Sequence, residues 1–425
     1  MSKLKTNTIQ HTGGSADNIT LDNSQNVTVE NNLTVDGTST LTGNVTASGN
    51  LTVSGTSTIS GYHPTTSRSN RNLIINGAMQ VAQRGTSTTT HNTFCVDRWK
   101  CQFGGTDEAL TFSQTDVSAG TSPYNLPVGS GHPYAHGFRK CLQVLNGNQT
   151  SGAGASDYTQ LRYIVEAQDI ANSGWDYTSS SSYLTLSFWI KSSVAQDFAG
   201  NLKTSDGTEY TYAFKTGSLT QHTWTKVTKT IAGNANLTFN NDNGVGLILY
   251  FYPFEGTTWT GSVTEDAWYT TSGNDDGDDN TTTWWTTNDA TLQITGVQLE
   301  VGSVATDFEH RSYGEELQRC LRYCQRHQGG NGSRVAIGVI GDSTTGYASF
   351  PTKVPMRATP SISVTEAGKI VKEGSAWYDL TSLTIGTSTN DVAVLTCGVS
   401  GGHNMSALDP FTMGDYTDFT LTAEL

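Results

Sequence analysis

Glycine recurs at every sixth residue through NLTVDGTSTLTGNVTASGNLTVSGTSTISG, at Gly37, Gly43, Gly49, Gly55 and Gly61. The fourth place of each unit is apolar or small (Val35, Leu41, Ala47, Val53, Ile59), and residues 32–43 match 50–61 at nine of twelve places. Such alternation puts one apolar face on a β-strand. Glycine at a fixed step permits a turn or a close backbone approach. A loose Ser/Thr linker would need no register. Degenerate units at 18–23 and 26–31 extend the pattern upstream. A strand series of this kind cannot bury its apolar face without a neighbour. A single chain coiling as a hexapeptide β-helix would complete only about two turns of solenoid. Three chains winding together would share a core, and symmetry and closure favour that solution. The sequence therefore predicts that 18–62 is the shaft of a homotrimer, with the glycines at its turns.

His63-Pro64 and 65–70 break the step. From 71 to 311, strand-like runs alternate with Gly/Asn/Ser turns; YLTLSFWIKS (183–192) and VGLILYFYPF (245–254) are clear examples. Many short antiparallel strands predict a jelly-roll β-sandwich. Helical periodicity appears in SYGEELQRCLRYCQRH, where Leu317, Cys320, Leu321 and Cys324 share a stripe. Ser312 and Glu315 form a capping box, and Gly329-Gly330 supplies the stop. This predicts an amphipathic linking helix over 312–328. Strand patterns return in 331–425, as a small C-terminal β domain or knob. The fold class is all-β with one linking helix.

Thr, Ser, Asn and Gly fill much of a chain that is 35% hydrophobic and 15% charged. A formal net charge of -14 argues against a general nucleic-acid binder, which needs a cationic face. The basic Met1-Ser2-Lys3-Leu4-Lys5 leads into no apolar run, so no signal peptide is expected. No window approaches the roughly 18 apolar residues that span a bilayer, so no membrane insertion is expected. Six cysteines are too sparse for a disulfide framework.

Three stretches together carry a resemblance. NLIINGAMQVAQRGT with DRW, then ITGVQLEVGSVATDFEHRSYGEELQRCLRYCQR, is similar to the sandwich module and trailing helix of phage tail-fibre proteins. FPTKVPMRATPSISV (350–364) resembles the opening of the C-terminal domain in the same proteins, and the glycine-stepped repeats resemble those of marine and cyanophage fibres. The resemblance implies a homotrimeric virion fibre, assembled in the host cytoplasm. It would be bound through an N-terminal attachment segment, 1–17, to a phage tail or other virion protein, and would touch the host surface distally. It also implies a sandwich like that of carbohydrate-binding modules, and hence a surface polysaccharide or other receptor as partner. It supplies no catalytic set for this sequence.

The loop EDAWYTTSGNDDGDDNTTTWWTT (265–287) places Trp268, Tyr269, Trp284 and Trp285 near Asp275 and Asp276. Aromatic faces stack on sugar rings and carboxylates accept hydroxyl hydrogen bonds, so these six residues are candidate glycan contacts. The alternative is that the tryptophans pack in the core or between subunits. Asp275, Asp278 and Asp279 around Gly277 could hold Ca2+ through hard oxygen ligands, although EF-hand spacing is missing; no other cofactor is expected. VIGDST is similar to the Gly-Asp-Ser block of lipase-like esterases. However, the only downstream histidine, His403, follows Ser400 rather than an Asp at the required place, so Ser343 reads as a turn residue. Cys320, Cys324 and His327 have metal-like spacing, but the two cysteines fit the apolar stripe. The expectation is a non-enzymatic adhesive fibre. The alternatives are a virion decoration that binds no receptor and a fibre-borne polysaccharide depolymerase.

Overall fold

In the computed structural model, the residues described are 8–9, 19–21, 27–29, 70–118, 131–261, 263–273, 277, 281–372, 376–401 and 403–425. The chain forms two compact units, Met1–His63 and Pro64–Leu425. In the first, strands Thr8–Ile9, Ile19–Leu21 and Val27–Val29 make a small sheet. Ile19 pairs with Val29 and Leu21 with Val27, antiparallel. Strands drawn from the two degenerate hexads thus pair with each other. Gly37, Gly43, Gly49, Gly55 and Gly61 lie outside the described residues.

The second unit is built of antiparallel sheets with little helix, so the all-β reading holds here. A six-stranded sheet runs in the order Thr225–Ala232, Tyr183–Ser192, Thr291–Val301, Lys140–Leu145, Thr111–Asp116, Ser87–Thr88. A seven-stranded sheet runs Trp268–Thr270, Tyr210–Lys215, Ala199–Thr204, Val245–Glu255, Tyr158–Glu166, Lys100–Gly104, Thr93–Phe94. Alternation selects the inner faces. Leu184, Leu186, Phe188 and Ile190 from one sheet and Leu161, Tyr163, Leu247, Leu249 and Phe251 from the other enter a single core. Trp99 is buried among them, and its ring lies 5.0 Å from that of Tyr163.

The helix occupies Tyr313–Leu321, with the reciprocal Ser312–Glu315 capping box in place. It is shorter than the sequence predicts. Cys324–Gln328 is instead a strand, pairing Cys324 with Thr422 and His327 with Phe419. The stripe misleads because Cys324 is buried in either geometry, and a ladder to the C-terminal strand satisfies the backbone as fully as another helical turn.

Beyond it, Arg334–Ile340, Thr345–Pro351, Val392–Val399, Trp377–Ile385, Lys369–Val371 and Pro410–Gly414 close a barrel, which removes exposed strand edges. A three-stranded sheet of Cys324–Gln328, Asp418–Thr422 and Ser361–Glu366 adjoins it. Ile340, Ile370, Leu395, Phe411, Met413 and Phe419 share its core. All six cysteines are free and buried.

The stretches that carry the tail-fibre resemblance meet in space. Asn76 donates through Nδ2 to the carbonyls of Val81 and Asp97, and through its backbone N–H to Glu316 on the helix. Arg311 donates to the Asn72 carbonyl at 2.8 Å. Arg98 reaches the Ile164 carbonyl at 2.6 Å and Glu424 at 2.5 Å. Arg357, from the third stretch, donates to the carbonyls of Ala423 and Glu424 and, across to the sandwich, to that of Asn243. These motif residues hold the sandwich, helix and barrel together.

Candidate carbohydrate-binding face

Trp284 and Trp285 sit on a single helical turn, Thr283–Thr286, and are 0% and 1% exposed. The Trp285 ring stacks on Phe254 at 4.8 Å, and its Nε1 donates to the Gly152 carbonyl at 3.0 Å. The backbone N–H of Trp284 donates to Gln196 Oε1, and the Trp284 and Trp285 carbonyls accept from Asn146 Nδ2. Their faces are spent on the core, which corrects the expectation that they stack on a sugar. A turn of helix has seated both indoles between sheet and loop, where they are dry.

Trp268 is half-buried against Tyr212 and donates to the Ala232 carbonyl at 2.7 Å. Tyr269 is on the same edge strand, opposite Thr211. Asp275, Asp276, Asp278 and Asp279 lie outside the described residues. Gly277 bridges Thr260, and a Cβ placed on it would meet Glu255 Oε2 at 3.5 Å and Ala199 Cβ at 3.6 Å. Among the described residues no group of three or more His, Cys, Asp or Glu side chains is arranged to hold a metal ion.

A different surface brings polar and aromatic groups together. On the outer face of the seven-stranded sheet, register aligns Ala213, Asn201, Tyr250, Arg162, Lys100 and Phe94 across six neighbouring strands. Partners directly opposite in an antiparallel ladder point to the same side. Tyr250 and Tyr252, two residues apart, stack at 5.6 Å with 10° between their planes. Tyr252 is buried and accepts from Asn201 Nδ2 at 2.9 Å, while Tyr250 stays half-exposed. The Arg162 guanidinium lies 6.0 Å from the Tyr250 ring centroid. One pleat along, Gln160 Nε2 donates to Gln102 Oε1 at 3.0 Å.

A second aromatic pair closes that end. Tyr158 and Trp259 meet edge to face at 5.4 Å, and Trp259 Nε1 donates to the Ser156 carbonyl. The Tyr158 ring lies across Gly104, where any Cβ would come within 2.6 Å of it, so glycine is required for this approach. A cavity of about 370 Å³ opens beside them, lined by Gly154, Ala155, Glu255, Gly256, Thr260 and Thr282. Tyr158, Gln160, Arg162, Tyr250, Lys100, Gln102 and Trp259 are all half-exposed. Aromatic faces with amide and guanidinium donors beside them suit a sugar ring and its hydroxyls.

The remaining sequence candidates separate. His403 Nε2 contacts the backbone carbonyl of Ser343 at 2.9 Å, and Asp342 accepts from Thr344, so that segment is a turn. Cys320 and Cys324 are fully buried, and burial pushes both thiols up. His327 projects from a strand against Phe350, away from any helical metal spacing.

No protein-family model matches the chain, and no curated protein matches it. Among solved structures, it is similar to the enzymatically active domain of tailspike protein 4 of bacteriophage CBA120, at 8% identity and a TM-score of 0.28, over 54% of this chain and 21% of that one. It is similar to an exo-beta-agarase at 11% identity and a TM-score of 0.25, over 56% of this chain and 26% of that one. A tandem CBM22 domain of Paenibacillus barcinonensis matches at 10% identity and a TM-score of 0.26, over 84% of this chain and 100% of that one. The chain spans about a quarter or less of the first two proteins.

Proposed function

We propose that this chain is a homotrimeric virion fibre that attaches to cells by binding surface glycan on the outer face of the seven-stranded sheet. The observation that carries the glycan reading is the aromatic and amide surface of Tyr250, Tyr158, Trp259, Gln160 and Gln102 beside Arg162. The fibre reading rests on the glycine-stepped repeat and on the tail-fibre resemblance of three stretches that pack as one joint. Three such faces on one particle would turn weak single contacts into firm adsorption through effective concentration. The N-terminal segment would meet the virion, with assembly in the cytoplasm of the infected cell.

Binding is favoured over cleavage. Glycoside hydrolysis uses two carboxylates flanking the scissile bond, and among the described residues the half-exposed side chains of this face are aromatic, amide and cationic. The test is adsorption of the labelled full chain to bacterial cells before and after periodate oxidation of their surface sugars. Adsorption should be lost after oxidation; adsorption that persists overturns the reading. Release of reducing ends from the cell polysaccharide would favour the depolymerase alternative.

A further inference from the structure

We propose that the face selects acidic glycans, with Arg162 and Lys100 gripping a carboxylate or sulfate ester while Tyr250 supports the ring that carries it. This rests on the glycan reading above. Lys100 and Arg162 are direct register partners on adjacent antiparallel strands, so two like charges stand side by side on one surface. Such an arrangement is destabilising unless an anion lies between or beside the pair.

Among the described residues neither side chain makes an ion pair, and Arg162 Nε is buried without a hydrogen-bond partner. Glu424 and Leu425 share their small hollow; the Glu424 carboxylate is already held by Arg84 at 3.0 Å and Arg98 at 2.5 Å, and Leu425 makes no ion pair with Lys100 or Arg162. Burial, with Arg162 beside it, holds the Lys100 pKa below the ordinary lysine range. A bound anion would relieve both costs.

The geometry also selects the ligand. A guanidinium is a planar fork that matches carboxylate and sulfate oxygens in pairs. Tyr250 is on the next strand, about 4.8 Å away, so a ring on Tyr250 would carry its acidic substituent to Arg162. The net charge of -14 repels a polyanion at long range, so recognition must come from these short-range contacts.

The experiment is calorimetry of the full chain with three probes: hexagalacturonate, its fully methyl-esterified and therefore neutral form, and a sulfated galactan hexasaccharide. An acidic probe should bind about tenfold or more tighter than the ester, the scale of one charge-assisted hydrogen bond. Preference for one acidic probe over the other assigns the anion as carboxylate or sulfate. Arg162→Gln should abolish the preference, the acidic probes falling to the affinity of the ester, and Lys100→Gln should reduce it in the same direction. If the ester binds as tightly as the acids and Tyr250→Ala weakens all three, the acidic selection is wrong and the face reading stands. If Tyr250→Ala changes nothing for a probe that binds, the face reading itself fails.

Discussion

The guanidinium of Arg98 lies 3.4 Å from the centroid of the Tyr323 ring. The pair closes the seam beside the sandwich: Arg98 holds Glu424, just past the strand Asp418–Thr422 of the three-stranded sheet, and Tyr323 donates to Glu166 at the end of a sandwich strand. Arg98 and Glu424 are almost fully buried. Glu424 keeps Arg84 at 3.0 Å when Arg98 is removed, so Arg98→Met loses one charge-assisted hydrogen bond and should cost about 1.5–3 kcal/mol of stability, read as a lowered urea midpoint. A change below 1 kcal/mol would show that the seam is held by other contacts.

His327 gives the barrel a pH response. Burial against Phe350, with the Lys353 ammonium nearby, pushes its pKa down to about 4. The unfolded chain protonates this side chain near pH 6.5. Between those values the unfolded state binds more protons, so the contribution is fully present above pH 6.5 and is lost as pH falls toward 4. Unfolding midpoints at pH 7 and pH 4.5 should differ less in His327→Phe than in the parent protein, because phenylalanine does not titrate and its ring fits against Phe350 and Phe419. An unchanged difference would assign the response to other groups.

Trp285 and Tyr250 should behave differently. Trp285→Ala empties a fully buried site stacked on Phe254 and should cost about 3–5 kcal/mol, measured by thermal unfolding. Tyr250→Ala removes a half-exposed ring that stacks on Tyr252 and should cost less, about 0.5–1.5 kcal/mol. Similar melting of the two variants would contradict the placement of one of them.

This contrast shows where the sequence was legible. Alternation in YLTLSFWIKS and VGLILYFYPF marks strands with one apolar face, and both stand as strands facing the core. The capping box marks the helix start. The helix end was hidden, because the partner strand Asp418–Thr422 is remote in sequence. The site was hidden for the same reason. The acidic, aromatic loop stands out by composition, yet its two adjacent tryptophans are core. Arg162 and Lys100 are ordinary strand residues until pairing brings them together. Tyr250 and Tyr252, at i and i+2 opposite Leu249 and Phe251, were the one local sign that the outer face carries polar-tipped rings.

The shaft argument predicts the mass of the assembly. Light scattering of the full chain should give three times the 45.5 kDa chain mass, because the hexad strands need neighbouring chains to cover their apolar face. A folded species of single-chain mass would contradict the trimeric shaft.

The affinity of the parent protein and of Tyr250→Ala for a glycan that the parent retains from a glycan array tests the central claim most directly. The account predicts a loss of about tenfold in Tyr250→Ala, the scale of one stacked aromatic ring, with the protein still folded at the assay temperature. Equal affinity of the two proteins, or binding that disappears only on replacing Trp268 and Tyr269, would place sugar recognition elsewhere and contradict it.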